Sequence, residues 1–134
     1  SQILEEYPSI QAVIDLHRDG VNENTHLVTE IDGKPMARFM FFNGLSRTKK
    51  NGPIDYLYNP YIEDNLALTL QLKLLCDQYY PGLSRNIYLK SLRYNLHLSD
   101  KALLIEVGAQ TNTLQEILNT MEPLSVLLAK VFGV

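Results

Sequence analysis

Short apolar runs alternate along this chain with longer segments of helical periodicity, and this alternation constrains the fold more than any other feature. Strand-like runs lie at about 11–17, 86–90 and 102–107, and helical patterns begin at Asn59-Pro60 and after Asn112-Thr113. Strands that alternate with helices usually form a mostly parallel sheet on which those helices pack. The sequence therefore predicts an α/β fold, with a mostly parallel sheet flanked by helices.

Turn signals add one hairpin to this arrangement. Asp32-Gly33 separates apolar runs at 27–31 and 36–42, and an Asp-Gly pair suits the type I′ turn that joins two antiparallel strands. The residues that follow, 43–58, are polar and rich in glycine and lysine, which predicts an exposed loop. We therefore expect one antiparallel hairpin beside the parallel strands.

Capping residues and prolines predict the first two helices. A short helix is expected at 2–7, before Pro8. Asn59 followed by Pro60 is typical of an N-cap and a first helical position. Pro81-Gly82 then ends this second helix, because neither residue continues a helix easily.

The last helix has two possible capping boxes. Thr113 with Glu116, or Asn112 with Gln115, has the required spacing. Further along, Pro123 cannot donate a hydrogen bond to the carbonyl of Asn119, so we expect a kink or a break there.

The composition limits the class of protein. With 134 residues, 46% of them hydrophobic and 20% charged, residues 1–134 fit a single globular domain. A formal charge of −3 argues against nucleic-acid binding. The apolar runs are too short to span a bilayer, so we expect this segment to be soluble. The single Cys76 lies in an apolar run, which predicts a buried, inert thiol.

One histidine stands where the first strand-like run ends. In open α/β sheets, ligands collect outside the carboxyl ends of the strands, which is where His17 is expected. Asp15 precedes it by two residues and shares its face of the strand, so this carboxylate could orient the imidazole. Such a histidine is a good metal ligand. On position alone, however, a structural histidine bonded to a backbone carbonyl is the commoner outcome.

A single carboxylate interrupts the second apolar run. Burial of Glu106 within 102–107 costs free energy unless the group is paired, hydrogen-bonded or at the open end of the strand. Desolvation would raise its pKa, which suits a general base that takes a proton from a metal-bound water. The alternative is a structural glutamate that reaches a helix terminus or an arginine. Nearby, Gly108 allows a sharp turn or a close approach of the backbone to a ligand.

The other two histidines have weaker patterns. His26 begins a hairpin strand and is expected to be solvated, whereas His97, between two leucines, is expected to be packed. The site suggested by the residues is therefore metal-assisted and hydrolytic, with His17 and Glu106 as only part of it.

Four motifs, taken in order, resemble one family. They are Ile14–Asp19, Tyr80–Arg85, Tyr94-Asn95, and Ala102–Gly108 running on to Glu116. Together they resemble the stage II sporulation protein P family, within the zinc-dependent N-acetylmuramoyl-L-alanine amidases, over essentially the whole chain. The resemblance implies an enzyme that hydrolyses the amide between N-acetylmuramic acid and L-alanine in peptidoglycan. It also implies an association with the cleavage of peptide crosslinks.

The resemblance assigns roles to individual residues. It implies that His17 is the second histidine of a His/Glu/His zinc site and that Glu106 is the catalytic glutamate beside the zinc-bound water. Asn95 and Arg93 would then lie near the substrate. The partners implied are peptidoglycan, a lytic transglycosylase and membrane proteins. The full-length protein would be extracytoplasmic and membrane-associated.

The sequence departs from the family pattern at its start. In the family, the first zinc histidine and the zinc glutamate precede the Asp-x-His motif by a wide margin, whereas only sixteen residues precede His17 here. Gly20 and Ala109 also replace a common serine and a common glycine. The resemblance therefore implies the carboxyl-terminal part of an amidase catalytic domain, without its first strand-helix unit. Because a catalytic zinc usually has three protein ligands, we expect weak or no zinc binding by this chain alone.

Two other interpretations stay open. A non-catalytic peptidoglycan-binding or assembly module would keep the amidase-like fold without the metal. An unrelated α/β domain would carry a structural histidine and a structural glutamate, and would place His17 and Glu106 on non-adjacent strands.

Overall fold

Strands and helices alternate as the sequence predicts. A computed structural model describes all residues from Ser1 to Val134. The strands are β1 (Val13–Asp19), β2 (Val28–Ile31), β3 (Lys34–Ala37), β4 (Phe39–Gly44), β5 (Arg47–Thr48), β6 (Gly52–Pro53), β7 (Tyr88–Lys90) and β8 (Ala102–Ala109). The helices are α1 (Gln2–Glu6), α2 (Ile62–Tyr79) and α3 (Leu114–Phe132), with a 3₁₀ turn at Asp55–Leu57. The α/β class is confirmed, and no helix is long and apolar enough to cross a bilayer.

The main sheet is mixed, so the prediction of a mostly parallel sheet is confirmed only in part. Its four strands lie in the order β1-β8-β4-β7. The outer pairs are parallel and the central pair, β8 with β4, is antiparallel. The difference arises because the second run of the predicted hairpin splits at Arg38. All six residues of Phe39–Gly44 are buried, and such a strand belongs at the centre of a covered sheet rather than in an exposed hairpin.

The hairpin itself is confirmed in its shorter form. β2 pairs antiparallel with β3 across Asp32-Gly33. Asp32 has φ of 51° and Gly33 has φ of 77°, the positive angles that a type I′ turn requires. The predicted loop at 43–58 holds the two-stranded ladder β5–β6 as well as the 3₁₀ turn.

The start of α2 differs from the prediction. Its N-cap is Tyr61, and no side chain caps the helix. Asn59 accepts a hydrogen bond from the backbone N–H of Tyr61 at 2.9 Å, so its oxygen closes a turn two residues before the helix begins. A different asparagine ties α2 to the sheet: buried Asn65 accepts from the backbone N–H of Ala102 and donates to the carbonyl of Leu96.

Thr113 and Glu116 form the capping box of α3. The Thr113 hydroxyl accepts from the Glu116 N–H, and the Glu116 carboxylate accepts from the Thr113 N–H. The helix then continues through Pro123, so the predicted break does not occur. Leu124 and Leu127, just beyond the proline, are buried in the core and hold the helix against the sheet.

The two faces of the sheet differ in what covers them. On one face, α2 and α3 pack over Phe39, Phe41 and the odd-numbered residues of β8 in the larger apolar cluster. The opposite face carries a smaller cluster of Met40, Phe42, Leu96, Ala102 and Leu104. Because side chains alternate along a strand, the even-numbered Glu106 lies on this second face.

The edge strand β1 is poorly covered. It pairs only with β8, which leaves its other edge without a partner. Because they alternate with the residues of β1 that face the smaller cluster, Ile14 and Leu16 lie on the face that the helices cover elsewhere. They are nevertheless 44% and 54% exposed. The helical layer therefore stops short of β1.

Candidate functional site

The two residues singled out by the sequence are brought together by the sheet. β1 and β8 are adjacent and parallel, and His17 stands opposite Glu106 in their register. Residues opposite each other on neighbouring strands, about 4.8 Å apart, share one face. The expectation of non-adjacent strands, which went with an unrelated α/β domain, is contradicted.

A bulge shapes the end of this strand pair. The register shifts between His17 and Asp19, so that Asp19 pairs with Ala109. Gly108 has φ of 58° here, and a Cβ at this residue would lie 2.7 Å from Oδ1 of Asn112. The turn expected at Gly108 takes the form of this bulge, beyond which the two strands pair again through Asp19 and Ala109.

His17 is held by a carboxylate from its own strand. Its Nε2 lies 2.7 Å from Oδ1 of Asp15, as expected for two residues on one strand face. The other oxygen of Asp15 accepts a hydrogen bond from Nδ2 of Asn95 at 3.1 Å. The imidazole is about half exposed, and its Nδ1 forms no hydrogen bond. Asp15 therefore links His17 to Asn95, and one ring nitrogen stays open toward solvent.

Glu106 carries the perturbed carboxyl group of the site. Its Oε2 is buried and has no hydrogen-bond donor beside it. The pKa of Glu106 is raised, first by burial and then by the negative charge and hydrogen bonding of Asp19, while His17 and Arg85 oppose the rise. The raised pKa anticipated from the sequence is confirmed in direction. A carboxyl group in this state can exchange a proton nearer to neutral pH than an ordinary glutamate can.

Two charged residues of the site were not assigned from the sequence. Arg85 donates to Oδ2 of Asp19 at 2.7 Å, and both groups act on the pKa of Glu106. Asp19 follows Asp15 and His17 at the period of a strand, so the same alternation could have placed it on the site face. Arg85 reaches the site by a tertiary contact, since its backbone N–H donates to the carbonyl of Phe39, and no local pattern reports that contact.

The loop before β8 carries the two predicted substrate residues. Asn95 reaches the His17 cluster, as described, whereas Nη1 of Arg93 donates to the carbonyl of Tyr58 at 3.0 Å. Gly44 lies against this loop so closely that a Cβ would come within 2.3 Å of the Leu92 carbonyl. Of the two residues, the structure thus places only Asn95 in direct contact with the candidate site.

The remaining histidines lie outside the site. His26 is half exposed, but its Nε2 contacts Oε2 of Glu116 at 2.8 Å, so it is more than a solvated side chain. His97 is half-buried, with Nδ1 3.2 Å from the carbonyl of Tyr94. Its pKa is lowered, mainly by burial and then by the charge of Arg93.

The candidate site offers fewer metal-ligating groups than a zinc ion takes. No group of three or more His, Cys, Asp and Glu side chains in the chain is arranged to hold a metal ion. His17, with its open Nδ1, is the one imidazole on the site face, and Glu106 supplies an unpartnered oxygen beside it. A catalytic zinc usually has three protein ligands, more than these residues bring together.

The fold and site define an α/β domain with a histidine and a carboxyl group at the ends of adjacent parallel strands. The family model described as "Stage II sporulation protein P" matches residues 1–132. The stage II sporulation protein P of Bacillus subtilis (strain 168) is 33% identical over 114 residues, which cover 81% of this chain and 25% of that protein. The chain therefore belongs to the stage II sporulation protein P family.

The matched region spans about a quarter of the length of the curated relative. No solved structure matches this chain.

Proposed function

We propose that this chain is the carboxyl-terminal part of a zinc-dependent N-acetylmuramoyl-L-alanine amidase that acts on peptidoglycan during sporulation. The observation that carries the proposal is the position of Glu106, a partly desolvated carboxyl group opposite His17 on an adjacent parallel strand. Membership of the sporulation family supports the setting. The same site could also act on stem-peptide crosslinks, since both reactions hydrolyse an amide.

The zinc would be held in part by His17. When bound, such an ion lowers the pKa of a water ligand and polarises a carbonyl. Asp15 holds the imidazole through Nε2, which leaves Nδ1 as the coordinating nitrogen. The other ligands would come from a segment packed beside β1, whose free edge and exposed Ile14 and Leu16 offer room for one. We keep weak or no zinc binding as the expectation for the chain alone.

Glu106 would serve as the proton carrier. Its raised pKa and its donor-free Oε2 suit a base that accepts a proton from water and later gives it to the leaving amine. Arg85 pairs with Asp19, and the negative charge of Asp19 favours the protonated form of Glu106. Asn95, and Arg93 through the loop that it anchors, would position the substrate.

The proposal extends to partners and location by way of the family. We propose peptidoglycan as the substrate polymer, and a lytic transglycosylase and membrane proteins as partners of a membrane-associated, extracytoplasmic protein. A pull-down of the full-length protein from sporulating cells, with and without a muramidase digest of the glycan, tests both contacts together. Loss of the transglycosylase from both samples would refute that partnership.

The catalytic assignment is tested by Glu106→Gln in the full-length protein. We expect amide cleavage to fall by at least about a hundredfold, as for the loss of a general acid-base group, with zinc content and thermal stability retained. Glu122→Gln, on the exposed side of α3, is the matched control and should keep full activity. Unchanged cleavage by Glu106→Gln would refute the assignment. Binding of peptidoglycan without cleavage by the wild type would favour the non-catalytic module instead.

A further inference from the structure

A cleft opens on the site face, one strand away from Glu106. It has a volume of about 330 Å³ and is lined by Arg38, Met40, Arg85, Asn86, Ile87 and Tyr88. Met40 stands directly opposite Glu106 in the register of β4 with β8. The cleft therefore begins one strand away from the candidate base, a separation of about 4.8 Å between strand axes.

The walls of this cleft are fixed by the sheet. Met40 packs in the smaller apolar cluster, and the ring of Tyr88 lies 5.3 Å from that of Phe42 in the same cluster. Arg38 sits at the corner between β3 and β4, where its carbonyl accepts from the N–H of Gly108. The cleft is thus bounded by residues whose backbones are already hydrogen-bonded.

One positive charge in the cleft has no partner. The Nε of Arg38 donates to the carbonyl of Gly82 at 2.9 Å, which fixes the plane of the guanidinium group. Its two Nη groups form no hydrogen bond and no ion pair. Arg85, by contrast, is paired with Asp19 and keeps only part of its donor capacity. In a chain of formal charge −3, an oriented and unpaired guanidinium beside the site is a specific feature.

We propose that this cleft binds a carboxylate of the substrate's peptide, with Arg38 as the main contact. A guanidinium group with two free Nη donors matches a carboxylate in a bidentate manner. Met40, Ile87 and Tyr88 offer an apolar wall for the adjoining part of the peptide. This inference rests on the proposed function, because in peptidoglycan the residue after the L-alanine carries a carboxylate one residue from the amide to be cut.

The direct test is binding of a dipeptide that the proposed amidase reaction does not cleave. L-Ala-D-Glu is titrated into the chain and followed by nuclear magnetic resonance shifts, alongside the same dipeptide with its carboxylates amidated. We expect saturable shifts at Met40 and Tyr88 for the carboxylate form only, which weaken as salt is raised. Arg38→Gln should raise the Kd roughly tenfold, as for the loss of a charge-assisted hydrogen bond. Arg47→Gln, on the exposed ladder β5–β6, is the charge-matched control and should leave the Kd unchanged.

Each outcome either supports or overturns the proposed carboxylate-binding cleft. Equal binding of the amidated dipeptide, no shifts at all, or an unchanged Kd for Arg38→Gln would overturn the proposal. The comparison of the two dipeptides needs only the wild-type chain, so it holds even if Arg38→Gln folds poorly. Because no muramoyl amide is present, Arg38-dependent binding would stand even if the full-length protein showed no amidase activity. Amidase activity with an unchanged KM for Arg38→Gln would remove the subsite and leave the proposed function intact.

Discussion

Replacement of Glu116 by alanine should destabilise the chain strongly, although the residue is not part of the candidate site. Oε2 of Glu116 accepts three hydrogen bonds, from the backbone N–H of Thr113 at 3.1 Å, from Nδ2 of Asn112 at 2.9 Å and from His26 at 2.8 Å. The residue is 8% exposed, so water cannot readily replace these contacts.

The loss can be estimated contact by contact. Removal of half of a capping box costs about 1 kcal/mol. The Asn112 amide is buried and would keep only its bond to the Leu27 carbonyl, which adds about 1–2 kcal/mol for the unsatisfied donor. The half-exposed His26 adds less than about 1 kcal/mol. The free energy of unfolding should therefore fall by about 2–4 kcal/mol.

Urea unfolding at neutral pH, followed by circular dichroism, measures this loss. Glu122→Ala, exposed on the same helix, is the control and should lie within about 0.5 kcal/mol of the wild type. Glu116→Gln keeps an acceptor but loses the charge, so it should fall between the two. A Glu116→Ala loss no larger than that of the control would refute the reasoning.

The pH dependence gives a second check on the same residue. Burial opposes ionisation of Glu116, but hydrogen bonds from His26, Asn112 and Thr113 outweigh it, and its pKa is lowered from 4.5. A lowered pKa contributes stability above the unfolded value, and that contribution is lost as pH falls through the folded value. The gap between wild type and Glu116→Gln should therefore narrow below about pH 4.5. A constant gap down to pH 2 would contradict the ionised acceptor.

Three further outcomes are expected. Because the pKa of Glu106 is raised, its contribution to stability is full below pH 4.5 and is lost as pH rises through the pKa of the folded state. Glu106→Gln should therefore gain stability relative to the wild type as pH increases. A pH-independent difference in urea midpoints would contradict this. Gly44→Ala should push the Leu92 carbonyl outward and broaden the nuclear magnetic resonance signals of Asn95, and an unchanged Asn95 spectrum would be inconsistent with that contact. Leu127→Ala removes a fully buried side chain and should cost about 2–5 kcal/mol in chemical unfolding, and a loss below 1 kcal/mol would show a poorly packed core.

Local patterns predicted the elements well and their partners less well. The Asp32-Gly33 turn and the Thr113 capping box depend on neighbouring residues alone, and both are present as predicted. The split at Arg38 could not be read locally, because the run at 36–42 is equally apolar whether it extends a hairpin or enters a sheet. Burial of both faces of Phe39–Gly44 decides the matter, and burial is a property of the whole fold.

The residues of the candidate site also differ in whether local sequence patterns could predict them. His17, Asp15 and Glu106 were found because strand ends and alternation are sequence properties, and the structure places them on one face. Arg85 was missed because its contact with Asp19 joins residues far apart in the chain. The capping role expected for Asn59 failed for a subtler reason: the same side chain can cap a helix or close a turn, and only the backbone path chooses between them.

The pairing of β1 with β8 also restricts how this protein can change over time. Successive side chains of a strand point to opposite faces of the sheet. One residue inserted between Ala102 and Glu106 would therefore turn the carboxyl group into the helix-covered core. The same insertion within residues 49–51, between β5 and β6, would only lengthen a surface loop. Among relatives, length variation should therefore collect in that loop, whereas the two strands should differ by substitution alone.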